Sequence, residues 1–235
     1  VSLLTIIQDA AKEMKLGVPA SVIGNPDVEV VDMLRFAQRL GRELPLRGEW
    51  QTLRTPSTFT SLAQEEQTGM VPTDLARFIN ETFWNRSRKR PLQGPMDAQQ
   101  WQTIKSWTTS PTQDTFTVYG SNIHINPVPP AGETFAFEYI TNQFCRSAGG
   151  VAQASWLADT DTARIPEELF TLGIVSLYLR SEWQPGAVDA EARFEKQVRQ
   201  YLTSDGPKRT VSMAGGSEYG RYPGIVVPEG YWMVP

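Results

Sequence analysis

PEELFTLGIVSLYLRSEW, residues 166–183, is the stretch on which the fold depends. Pro166 stands near its start, and Glu167 and Glu168 fall in the first turn, where carboxylates meet the positive end of the helix dipole. From Leu169 to Leu179 the helix is apolar nearly all round. A helix without a polar face belongs at the centre of a packing, surrounded by other elements. Thr171, Gly173 and Ser176 interrupt the run, and it is far shorter than the ~20 apolar residues a bilayer span requires. The stretch therefore reads as the core helix of a soluble protein.

Partners for that helix lie at both ends of the chain. Pro185-Gly186 turns the backbone, and a helix over about 188–203 follows, with Ala190, Phe194, Val198 and Tyr201/Leu202 on one face and a Glu195–Arg199 pair at helical spacing. At the front, residues 2–16 read as an amphipathic helix capped by Ser2 and ended by Gly17. Its apolar stripe is Leu3, Ile6/Ile7, Ala10 and Met14. Asn25-Pro26 supplies a cap and a first-turn proline for a second helix, with Val30, Met33/Leu34, Ala37, Leu40 and Leu44 on one face. Arg35, Arg39 and Arg42 are on the other face, and Pro45 ends the regular part. These stripes are core positions rather than cofactor contacts. Two helices in front and two behind predict a four-helix group, with the middle of the chain projecting from it.

That middle changes period. WQTLRTPSTFTSL from Trp50 is rich in Thr and punctuated by Pro56, so it reads as an edge strand. QEEQTGMVPT reads as loop, and TDLARFINETFWN as a helical turn or an irregular segment. NRSRKRPLQGPM, from Asn85, then packs Arg86, Arg88, Lys89 and Arg90 into five positions. Asp97 and Gln100 have capping-box spacing, and Met96 and Trp101 that of a hydrophobic staple. They start a short helix with Trp101, Ile104 and Thr108 on one side. TFTVYGSNIHINP alternates around a two-residue turn, Gly120-Ser121. ETFAFEYIT alternates again, with Phe135, Phe137 and Tyr139 on one face. Three strands, or four with the Trp50 segment, predict a small antiparallel sheet, and residues 141–165 read mostly as loop. The fold class expected is α+β. A single domain, 1–205, has a helical part at 1–49 and 166–204 and a β-rich insertion at 50–165. Residues 206–235 hold six Gly and four Pro beside Tyr219, Tyr222, Tyr231 and Trp232. They read as an extended tail whose aromatics are anchors for a partner.

Charge narrows the function classes. The net charge is -4 overall, +2 over residues 51–107 and -3 over 108–165. The broad basic face of a duplex-binding protein is missing at this scale. Aromatic residues do not interleave with the basic run, which argues against single-strand binding. A solvated loop, a phosphate contact and a dock for an acidic partner remain. One cysteine, Cys145, excludes an internal disulfide framework. VSLLTIIQDAAKEMK carries lysine only after its apolar part and has no small-residue cleavage site, so no secretory signal is expected.

Catalytic constellations are thin. A Ser–His–Asp arrangement has only His124 to use, and that residue sits between Ile123 and Ile125 in a strand, pointing away from their apolar face. Asp159 and Asp161 lack the further ligands and glycine of a calcium loop, so turn-forming and helix-start roles are expected. Neither the dinucleotide-binding and P-loop glycine motifs nor HExxH and GxSxG occur. The many carboxylates leave a glycosidase-type pair open, and Trp101 and Trp183 are assigned to packing. No catalytic residue, cofactor or metal is assigned.

Several stretches together resemble the head-to-tail adaptor (head-completion, connector) proteins of tailed bacteriophages. They are SLLTIIQDAA followed by SVIGNPD, RFINETFWNRSRKRPLQGPMDAQQWQ, VPPAGETFAFEYIT and LADTDTARIPEELFTLGIV, in consistent order over about residues 2–204. The resemblance implies a non-enzymatic virion protein of the neck, assembled in the host cytoplasm. Such proteins form a ring of identical subunits, commonly twelve. The ring sits beneath the portal, extends the DNA channel without sequence-specific binding, and offers a platform for tail or nozzle proteins. On that footing Arg86, Arg88, Lys89 and Arg90 are expected to meet carboxylates of a neighbouring subunit, portal or tail protein. Tyr219, Tyr222, Tyr231 and Trp232 are expected at an interface, and Asp114, Glu133 and Glu138 on the channel wall. The alternatives are another tail or neck interaction module and a carboxylate-dependent cell-wall hydrolase.

Overall fold

The computed structural model describes residues 1–106 and 113–206. The described residues form helices α1 (Leu3–Glu13), α2 (Val28–Arg47), α3 (Ala98–Ser106), α4 (Glu167–Ser181) and α5 (Ala187–Asp205), with antiparallel sheets between them. The fold is α+β.

Each helix begins or ends for a local reason. Ser2 Oγ accepts the Thr5 amide at 3.4 Å and opens α1. The helix closes before Gly17, because Lys15 takes a φ of +60° and the Leu16 amide reaches back to the Ala11 carbonyl at 2.9 Å. That 6→1 bond satisfies an orphan carbonyl, so a glycine is not required. At α2 the cap is Asp27, two residues later than expected. Asn25 Oδ1 accepts the Asp27 amide at 3.0 Å in a turn that fixes the approach, and Asp27 Oδ1 accepts the Glu29 amide at 3.2 Å. Pro45 sits inside the last turn rather than ending the helix.

Packing centres on α4. Helices α1, α2 and α5 each lie against it, and Leu169, Phe170, Leu172, Ile174 and Val175 are buried. Each such side chain contributes roughly 1.5–3 kcal/mol of transfer free energy. Gly173 sets the closeness of approach: a methyl there would lie 2.6 Å from Leu40 Cδ1 and 3.1 Å from Phe194 Cε2. On α5, Phe194 and Val198 face this core. Glu195 accepts Arg47 from α2 at 2.6 Å instead of pairing with Arg199 one turn on, because the crossing helix brings a guanidinium nearer. Trp183 does not pack. It lies beyond the end of α4 with a φ of +53° and is 94% exposed.

From Gln51 a 3-10 turn leads into extended chain. Strands β1 (Arg54–Thr60), β2 (Glu66–Gln67), β3 (Leu75–Phe78), β4 (Trp84–Asn85) and β5 (Arg90–Pro91) precede α3, and β6 (Thr115–Tyr119), β7 (Asn122–Asn126) and β8 (Thr134–Thr141) follow it. The expected single sheet is divided. β8 leaves the β6–β7 hairpin and becomes the spine of a five-stranded sheet, with β1 on one edge and β3 and β4 on the other. β6 and β7 join β2 in a separate three-stranded sheet. Division lets both sheets bury their aromatic faces against each other. Phe83, Phe116, Phe135, Phe137, Ile123 and Ile125 form this second core, with Phe83 4.5 Å edge-on to Phe116.

The segment expected as a helical turn or irregular chain instead holds two short strands, β3 and β4, because β8 has a free edge to fill. Thr82 carries the pairing across the gap between β3 and β4: its hydroxyl donates to the Ile79 carbonyl at 2.7 Å and accepts the Glu138 amide at 3.1 Å. Residues 141–165 contain β9 (Cys145–Arg146), β10 (Ala152–Gln153) and β11 (Thr162–Ala163) in a third small sheet. Phe144, between β8 and β9, reaches into the helical core beside Trp156 and Phe170.

Candidate functional site: an arginine hairpin

The basic run is the tip of a hairpin. Trp84 pairs with Pro91 and Asn85 with Arg90, leaving residues 86–89 as the turn, with Lys89 at a φ of +58°. Asn85 organises it. This side chain is buried; its Oδ1 accepts the Arg88 amide at 3.0 Å and its Nδ2 donates to Glu133 Oε2 at 2.7 Å. Arg88 Nε closes the circuit on Glu133 Oε1 at 2.6 Å. Two further bonds stitch the turn to the start of β8: the Arg86 amide to the Thr134 carbonyl at 2.8 Å, and the Thr134 amide to Ser87 Oγ at 3.0 Å.

The far end is equally fixed. The Gln93 amide donates to the Asp114 carbonyl and the Phe116 amide to the Gln93 carbonyl, the Met96 amide reaches the Phe116 carbonyl, and Asp97 Oδ1 caps α3 through the Gln100 amide at 2.7 Å. Trp101 is buried beneath, as the staple spacing requires, while Thr108 lies outside the described residues.

Charge at the hairpin is mixed. Asp114, 7% exposed, has its carboxyl pushed above the usual carboxylate range by burial, against the opposing pull of Arg88 and Arg90. Two of the three carboxylates expected on a channel wall, Asp114 and Glu133, therefore lie in the electrostatic neighbourhood of the basic run. The third, Glu138, is bonded to Arg54 on the outer face of the five-stranded sheet. Arg88 is internally neutralised. Arg86, Lys89 and Arg90 are exposed and make no ion pair among the described residues. Three cations at the tip of a hairpin whose backbone is already ordered can meet carboxylate or phosphate oxygens at little further entropic cost.

The remaining candidates have structural surroundings. His124 is on the opposite side of β7 from buried Ile123 and Ile125, 4.9 Å edge-on to Tyr119 and 3.7 Å from Glu65. Asp159 accepts the Val22 and Ile23 amides at 3.0 and 2.7 Å, and Asp161 accepts those of Leu157 and Ala158 at 2.7 and 2.9 Å. Both carboxylates hold loops in place. Among the described residues no group of three or more His, Cys, Asp or Glu could hold a metal ion, and no helix is long and apolar enough to cross a membrane. Tyr219, Tyr222, Tyr231 and Trp232 lie outside the described residues.

Sequence reasoning missed Asn85, Ser87 and Thr134 as the organisers of the turn. The readable signal was Asn85 at the head of a Gly-free turn, where a side-chain oxygen substitutes for a backbone acceptor. Glu133 stands 45 residues from Arg88, and nothing local links the two. No protein-family model and no curated protein matches the chain.

Proposed function

We propose that the chain is a subunit of a ring adaptor at the neck of a tailed bacteriophage, between portal and tail. It works by shape and contact, without making or breaking covalent bonds. The resemblance of five stretches, in consistent order over about residues 2–204, is the basis of the reading. The observation that carries it is the rigid hairpin presenting Arg86, Lys89 and Arg90 outward while Asn85 and Glu133 fix its shape from below. A preorganised cationic projection suits docking to carboxylates of a portal, tail protein or neighbouring subunit better than an unpaired flexible run would.

In this reading the helices pack side by side as a four-helix group in the ring, the strands project, and the tail aromatics anchor on a partner. Genomic DNA passing through the lumen would meet neutral pairs such as Arg54–Glu138 and Arg88–Glu133 rather than bare carboxylates.

The test is a charge reversal that spares Arg88, whose loss would disturb the hairpin itself. The variant Arg86→Glu/Lys89→Glu/Arg90→Glu should keep the wild-type circular dichroism spectrum and lose at least tenfold in co-sedimentation with purified portal rings. Undiminished co-sedimentation contradicts docking through the hairpin. Normal assembly with loss of packaged DNA moves these cations to the lumen.

A further inference from the structure

Residues 182–186 join α4 to α5, and the joint is strained. Trp183 follows the end of α4 at a φ of +53°, in the place that helix ends usually give to glycine. The Gln184 amide, reaching back to the Leu179 carbonyl at 2.9 Å, closes the turn around it. A bulky side chain in this left-handed conformation is an outlier, and with Trp183 94% exposed no packing offsets the strain. Gln184 precedes Pro185, whose ring biases it toward extended backbone. Fully extended, the connector spans about 17 Å. The turn therefore has a less strained alternative, in which it opens out and carries α5 away from α4.

Helix α5 is also separable. Only Phe194 and Val198 of its 19 residues are buried, against seven of 15 on α4. An element with so few buried residues opens before the rest of the core does. Its seat is nevertheless specific. Phe194 lies in the notch left by Gly173 on α4, where an added methyl would come within 3.1 Å of Cε2. Leu202 lies in the notch at Gly48, where the methyl would come within 2.1 Å of Cδ2. Glu195 takes the Arg47 guanidinium at 2.6 Å, and Arg193 the Glu13 carboxylate at 3.1 Å. These groups recognise α5 by its side chains, and none of them requires the helix to belong to the same chain.

We infer that copies of this chain exchange α5. The connector opens, and α5 of one copy occupies the seat formed by α1, α2 and α4 of another. The seat contacts of the closed chain are remade in the exchanged one and the strain at Trp183 is released, so exchange needs no new interface. What favours the closed form is proximity, because a helix on a short connector meets its own seat at an effective concentration in the millimolar range. Exchange therefore becomes appreciable where copies are crowded to a comparable level. Passed from copy to copy, it is a heterologous contact that can close a ring as well as a pair. The inference concerns copies of this chain alone, and it holds or fails independently of the ring reading.

The experiment mixes two full-length variants, Glu13→Cys and Arg193→Cys, substituted at exposed positions that meet where α5 lies against α1. A short bis-maleimide is added after equilibration, and Cys145, being buried, does not react. A cross-link between the two variants reports α5 of one chain on the seat of the other, and each variant alone gives the background. The cross-linked fraction on a denaturing gel should be at least tenfold higher at about 1 mM chain than at about 10 µM. Trp183→Gly, placed in both variants, removes the strain and should lower that fraction at least threefold. Deleting Gln184 and Pro185 shortens the turn and should make the cross-linked species the major product. Circular dichroism identifies a variant that fails to fold, and the concentration series with the unaltered connector stands without it. No cross-link above background at the higher concentration overturns the inference. So does a yield that either connector change leaves as it was in a folded chain, since the copies would then meet through another surface.

Discussion

Gly41→Ala tests whether helices and inserted strands share one core. Gly41 is on the inner face of α2, and a methyl group there would sit 2.3 Å from Cε2 and Cζ of Phe144. Carbon atoms in contact prefer 3.5–4.0 Å, so ring or helix must move by about 1 Å or more. The ring has little room. Phe144 is fully buried, with Trp156 at 5.5 Å and Phe170 at 6.2 Å between ring centroids. Overpacking costs roughly 1–3 kcal/mol, while Ala in place of Gly inside a helix returns about 1 kcal/mol. With a rigid obstacle the upper end of the first range applies, so the net loss is about 2 kcal/mol. For a chain of this length that lowers Tm by about 4–8 °C, read by thermal unfolding in far-UV circular dichroism. Gly17→Ala is the control, since nothing lies within 4 Å of its added methyl. Its stability should stay within about 0.5 kcal/mol. In the double variant Gly41→Ala/Phe144→Leu the two costs should be non-additive by at least about 1 kcal/mol, the smaller aliphatic side chain leaving room for the methyl. A Gly41→Ala chain as stable as the parent, or additive costs, would refute the shared core.

Asn85→Ala removes both the Arg88 amide acceptor and the Glu133 donor, so it should cost about 1–3 kcal/mol and speed amide exchange at residues 86–89. Asp161→Ala leaves the Leu157 and Ala158 amides without their carboxylate and should cost about 2–3 kcal/mol in urea unfolding, with Asp161→Asn costing less because one acceptor remains. Burial first, and Asp161 second, push the Cys145 thiol up to about 12 from its ordinary 9.0. Its folded value lies above the unfolded one, so the stability linked to the thiol is whole below pH 9 and is lost as pH rises toward 12. Cys145→Ala should flatten that limb of a Tm-against-pH curve, and an unchanged limb would contradict the assignment. Trp183→Ala should leave Tm unchanged within error despite removing the largest side chain type, because Trp183 is 94% exposed.

What was legible in the sequence is what local chemistry determines. The helical spans follow from apolar spacing and caps such as Ser2 and Asp97, and the β6–β7 hairpin from Gly120-Ser121. The inserted strands β2, β3 and β4 were not legible, because two to four residues carry no period. Their state is imposed by pairing partners such as Thr141 for Leu75 and Ala136 for Trp84. Trp183 misled because its spacing continues the α4 stripe, whereas the helix ends at Ser181 and the backbone turns away. At the candidate site the cationic turn was readable as a loop ahead of a capped helix. Its partners Glu133 and Asp114 lie 45 and 26 residues from Arg88, beyond any local signal.

The ring proposal is tested most directly by negative-stain or cryo-electron microscopy of the purified full chain mixed with portal rings. The expected result is a closed additional ring of this chain beneath the portal, continuing its central channel. Portal particles without added density at a saturating excess of the chain, or with density attached elsewhere than the channel mouth, would contradict it.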